Sequence, residues 1–203
     1  MAHFLLSMVI VANAVVLHWR AGEQPGPSRP PAHAPAPQTV GPDIRRLGNV
    51  ILATTALVVF LGTVVTAAGP HGGDENAERL DVPLHRAVQL HGAAAMLLVT
   101  MVAMMLFLLV RAPSPPEVRR RGRILLGVVV AQAGIGYLQY FTGVPVLLVG
   151  AHIAGATALW ATAVRFVLGL GRAQDEAAKL EHEVRPEADG RPEVLSASVD
   201  GAR

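Results

Sequence analysis

The sequence predicts an all-α integral membrane protein with five transmembrane helices. Two observations predict that class. Of the 203 residues, 52% are hydrophobic, and the charged 16% gather between long apolar blocks instead of mixing through them. Five of those blocks approach the ~20 apolar residues with which a helix crosses hydrocarbon. They are Ala2–Val16, Val50–Ala68, His91–Val110, Ile124–Phe141 and Val146–Leu168.

The first block is the shortest. It reads as a retained span, because it lacks a basic leading segment and the Ala32-His33-Ala34 triplet lies too far downstream for a cleavage site. Cysteine is absent, which excludes disulfides, thiolate metal sites and thiol redox chemistry within this chain. The basic pI of about 9.7 comes from arginines flanking the apolar blocks. It does not come from a face suited to nucleic acid, and no nucleic-acid partner is expected.

Arginine placement sets the orientation through the positive-inside bias. Arg20, Arg29, Arg45 and Arg46 follow the first block, and "RAPSPPEVRRRGR" carries Arg111, Arg119, Arg120, Arg121 and Arg123. Both stretches are expected in the cytoplasm. The acid-rich "GPHGGDENAERLDVPLHR" and the uncharged "TGVP" are expected outside. The chain then divides into a single helix over 1–18, a Pro-rich cytoplasmic linker over 19–46, four spans over 47–170 and a charged tail over 171–203. The linker and the tail lack the large apolar side chains of a packed domain. Within the tail, Ala173–Val184 is expected as a short surface helix, followed by disorder. The whole is expected as a multi-pass membrane protein, with the C-terminus cytoplasmic and lipid as the surrounding partner.

Of the eight histidines, His18, His33, His71, His85 and His182 fall at helix ends, in loops or in the tail, and read as solvated. His3, His91 and His152 lie within apolar helices, where polar side chains are costly and face the interior of the assembly. The third and fifth spans both run inward, each after a proline, Pro83 or Pro145. At 1.5 Å per residue His91 and His152 therefore sit roughly 10–12 Å below their helix starts, at one level. Two imidazoles at one depth on like-directed helices are what axial ligation of a haem iron requires. Small residues flank both: Gly92–Ala95 beside His91, and Ala151, Ala154, Gly155, Ala156 and Ala158 around His152. The same small residues at four-residue spacing also let membrane helices pack closely with no cofactor. Both histidines equally have a plainer reading, as hydrogen-bonded packing residues. Zinc fits poorly, because two imidazoles alone supply too few ligands.

Laid over "AHIAGATALWATAVR", the opening "AHFLLSMVIVANAVV" matches at Ala2/Ala151, His3/His152, Ala12/Ala161, Ala14/Ala163 and Val15/Val164. The first helix is then the counterpart of the fifth and the last helix of an earlier four-helix unit. Helices two to five form one complete four-helix bundle. On this reading three helices are expected upstream of Met1.

The motifs "LGTVVTAAGPHGGD", "VQLHGAAAMLL", "AQAGIGYLQYFTG" and "LVGAHIAGA", in that order, resemble the second half of haem A synthase. The leading "AHFLLSM" resembles that family's fourth helix. The resemblance spans about Ala2 to Leu170. It implies that the last four helices form a haem-binding bundle, with a haem b held between His91 and His152 as iron ligands. It further implies that His3 belongs to the pair of the other bundle, where haem O is oxidised at its C8 methyl to the formyl of haem A. The remaining partner histidine and an outer-loop glutamate are expected upstream, so no catalytic residue is assigned in this chain. Haem O synthase and cytochrome oxidase assembly factors are the implied partners. The cysteine pairs of many members have no counterpart here. An electron-transferring b-type cytochrome and a haem-free membrane assembly protein stand as alternatives.

The other polar residues have modest readings. Arg86, with His85, sits above His91 and suits haem propionates, or else snorkels at the interface. Gln132 is expected to bond across helices, and Gln89 to face headgroups, while Gln139 is a further polar candidate. Tyr137, Tyr140 and Phe141 form an aromatic belt. Arg165 snorkels, and Thr63 and Thr66 bond backbone carbonyls.

Overall fold

The computed structural model describes residues 2–22, 40–69 and 80–184. Most of the Pro-rich linker with Arg29 and His33, the acid-rich loop around His71 and the end of the tail lie outside the described residues. Among those described there are five α-helices and no strand: α1 (Ala2–Ala21), α2 (Pro42–Ala68), α3 (Leu84–Arg111), α4 (Pro116–Phe141) and α5 (Val146–Val184). All five are long and apolar enough to cross a bilayer, as a multi-pass membrane protein requires.

The helices outrun the apolar blocks. Pro42 and Pro116 stand at the first turns of α2 and α4, where a missing N–H costs no hydrogen bond and the fixed φ suits the helix. The segment expected as linker therefore gives 19–21 to α1 and 42–46 to α2. The helix expected separately over 173–184 is continuous with α5. Gly169 and Gly171 do not end α5, because tertiary contacts hold the turn between them. Leu170 is fully buried, and the Arg121 side chain lies in the space a Cβ on Gly169 would take.

α2 packs against α3 and α5, α4 packs against the same two helices, and α1 packs against α5. The four-residue connections 112–115 and 142–145 leave α3/α4 and α4/α5 no arrangement but antiparallel. The buried residues recur every three or four positions on each helix: Ile51, Thr55 and Val58 on α2; Leu98, Val102, Met105 and Leu109 on α3; Val118, Gly122, Leu125, Val129 and Gln132 on α4; Leu159, Ala163, Phe166 and Leu170 on α5. That spacing keeps one stripe of each helix facing its neighbours. Opposite faces expose large apolar side chains such as Leu97, Phe107, Val130 and Leu147, which suits lipid rather than water. α1 is fastened by Trp160 of α5, whose Nε1–H donates to the Met8 carbonyl at 2.8 Å.

Candidate functional site

The apolar stripe stops roughly three to four turns short of an end of the assembly. Beyond Val58, Leu98, Val129 and Leu159, the same inward positions carry Gly62 on α2, His91 on α3, Gln132 and Gly136 on α4, and His152 on α5. Helix register brings them level. His91 is seven residues past Leu84 and His152 six past Val146, while Gly62 lies six before Ala68 and Gly136 five before Phe141. At 1.5 Å per residue each stands roughly 8–10 Å from its helix end.

The two imidazoles meet, with ring centroids 6.2 Å apart and planes at 80°. Each is half-buried and rests on a glycine of the adjacent helix. A Cβ on Gly62 would come within 3.2 Å of His91 Cε1, and a Cβ on Gly136 within 3.2 Å of His152 Cε1. Either methyl would push the ring back by a few tenths of an ångström. These glycines were missed by the reading of the sequence, which looked for small residues beside the histidines in the chain. The signal available was register: glycines on the inward stripe as far from their helix ends as the histidines are from theirs. The neighbours singled out instead lie largely elsewhere. Ala151, Ala154 and Ala158 are exposed, and a Cβ on Gly92 would meet open space. Gly155 is where the Gln132 carboxamide rests.

Hydrogen bonding differs between the two rings. His91 Nδ1 lies 3.1 Å from the Val58 carbonyl. A carbonyl only accepts, so Nδ1 carries the proton and Nε2 keeps its lone pair. His152 Nδ1 is buried with no hydrogen-bond partner among the described residues. What holds that turn is backbone: Gln132 Nε2–H donates to the His152 carbonyl at 2.7 Å. Gln132 Oε1 and Gln139 Oε1 are buried and likewise unpartnered among the described residues. Thr63 and Thr66, as expected, bond the Phe60 and Gly62 carbonyls, at 2.7 and 3.0 Å.

His3 and Arg86 are not part of this cluster's contacts. His3 is exposed at the start of α1, and its imidazole has no partner among the described residues. Arg86 is exposed on the first turn of α3, and Gln89 is exposed one turn on. At the end of α4 Phe141 stacks on Tyr137 and meets Tyr140 edge to face, all three exposed. Arg165 is exposed on α5.

Imidazole nitrogens stand about 2.0–2.1 Å from a transition metal, so two rings on opposite sides of one ion have centroids roughly 6 Å apart. The observed separation has that value. No group of three His, Cys, Asp or Glu that could hold a metal ion occurs among the described residues. The donor set is two imidazoles, which suits an iron already held by four porphyrin nitrogens and not a bare ion needing a protein cage. The unsatisfied His152 Nδ1 and the glycine seats agree with a group completing this site. No protein-family model, curated protein or solved structure matches the chain.

Proposed function

We propose that this chain is a haem A synthase-type protein of a bacterial plasma membrane, in which His91 and His152 would hold a haem b. α2 to α5 form the haem-binding four-helix bundle, and the C-terminus lies in the cytoplasm, where the arginine-rich ends of the helices belong. The observation that supports this most is the pair of imidazoles 6.2 Å apart on glycine seats at one level. The bound haem would supply one-electron chemistry, with a potential set by burial and by hydrogen bonds to its ligands.

The chain's own residues do the positioning. The Val58 carbonyl holds the His91 proton on Nδ1 and leaves Nε2 as the donor atom. Gln132 fixes the turn that carries His152. The lipid-facing apolar side chains keep water from the site, and Arg86, five residues before His91, supplies positive charge for propionates at the outer mouth. With both imidazoles of this pair engaged in holding the haem, oxidation of the haem O methyl to the haem A formyl would belong to a different site. Haem O synthase and oxidase assembly factors are the partners this role calls for.

A second reading, an electron-transfer-only b-type cytochrome, is favoured by one observation: His3 is exposed with no second imidazole beside it among the described residues. Two experiments separate the readings. The purified full chain should show a sharp α band in its reduced-minus-oxidised spectrum, with one haem per chain. No α band, or a band unchanged in His152→Ala, defeats both. Pigments extracted from cells that also make haem O contain haem A under the first reading only.

A further inference from the structure

At the opposite end of the molecule a cleft of about 540 Å³ opens between the end of α1, the start of α2 and the late part of α5. Arg20, Arg45 and Arg172 line it, one from each of the three helices, and all three are exposed. Among the described residues that line it the carboxylate is Asp175, against these three arginines, so their formal charges sum to a positive value.

Its membrane-side wall is different. Val16, Val167 and Leu168 make it apolar, and the Trp19 indole stands between the two zones. Arg121 of α4 reaches across Gly169 to lie over that indole, 4.6 Å from the ring centroid. The cation fixes the aromatic wall and adds charge to the rim.

Three guanidiniums above an apolar wall, at helix ends, match a ligand with a phosphate head and hydrocarbon tails. We propose that this cleft binds the headgroup of an anionic glycerophospholipid, its phosphate between Arg20, Arg45 and Arg172 and its first methylenes along Val16, Val167 and Leu168. A basic pocket between membrane helices on the positive side is the usual form of such a site, and planar guanidinium forks suit phosphate oxygens. The site stands independently of the histidine pair. It also fastens α1, since the lipid bridges α1 to α2 and α5.

The test is native mass spectrometry of the full chain titrated with phosphatidylglycerol, with phosphatidylcholine, and with phosphatidylglycerol in excess inorganic phosphate. Phosphatidylglycerol should bind tightly and phosphatidylcholine weakly, with inorganic phosphate failing to displace the lipid. Changing Arg20, Arg45 and Arg172 together to Gln should weaken binding roughly a hundredfold, at about fivefold per arginine. Should that variant not fold, Asp175→Asn, a change at an exposed residue, decides: it should tighten binding by several-fold. Equal binding of both lipids, displacement by phosphate alone, or unchanged binding in Asp175→Asn would each overturn the proposal.

Discussion

The helix pairs α2/α3 and α4/α5 offer their histidines matched seats but hold them differently. In both, an imidazole from the start of one helix lies on a glycine near the end of the other, with the same 3.2 Å closeness of a would-be Cβ to Cε1. In the first pair the ring is also tied to the Val58 carbonyl, on the same stretch of α2 that supplies Gly62. In the second pair the protein grips the His152 backbone through Gln132, and the ring nitrogen Nδ1 has no partner among the described residues. Shape alone thus places His152, whereas shape and a hydrogen bond together place His91. The lesson is that the two ligands are equivalent in position and unequal in restraint.

The largest expected effect breaks the pair outright. His91→Ala and His152→Ala should each lower haem content at least tenfold, read by pyridine haemochrome assay. If only one does so, the other histidine is a packing residue.

Filling the seats comes next. Gly62→Ala and Gly136→Ala overpack the site and should each destabilise the protein by about 1–3 kcal/mol, measured by thermal loss of the haem band. Gly62→Ala should cost more, because His91 cannot yield without giving up its Val58 bond. The reverse order would contradict the inequality of restraint.

Smaller is Gln132→Leu. It removes the bond to the His152 carbonyl, an interhelical hydrogen bond of the kind that averages about 0.6 kcal/mol in membranes. It also removes the unpartnered Oε1, so the net loss should stay within that figure. The change should alter the His152 environment and leave the His91–Val58 bond intact, as histidine NMR can report. Comparable in size is Trp160→Phe, which deletes the donor to Met8. It should speed hydrogen exchange in α1 by roughly threefold without touching either histidine.

Much of this arrangement was legible in the sequence, for identifiable reasons. Hydropathy blocks gave the five helices because nothing but a helix satisfies its backbone in hydrocarbon. The prolines before α3 and α5 placed His91 and His152 at one depth, and the rings do meet. Helix ends were less legible. Arginine-rich turns such as 42–46 and 116–123 look like loops by hydropathy, yet they stay helical because their side chains are solvated beyond the apolar zone. The continuity of α5 through Gly169 and Gly171 depends on Arg121 and Leu170, contacts that no local pattern encodes. The glycine seats were hidden for a related reason. They are a property of register between antiparallel helices, and the eye reads along one chain. His3 was chosen by its match to His152 and Arg86 by its place above His91, and no contact among the described residues joins either to the pair.

The most direct test of the histidine clasp is the low-temperature electron paramagnetic resonance spectrum of the oxidised, purified full chain. Imidazole planes at 80° should give the strongly anisotropic low-spin ferric signal of near-perpendicular axial histidines, lost in His152→Ala. A high-spin signal, no haem signal, or a low-spin signal that survives in that variant would contradict it.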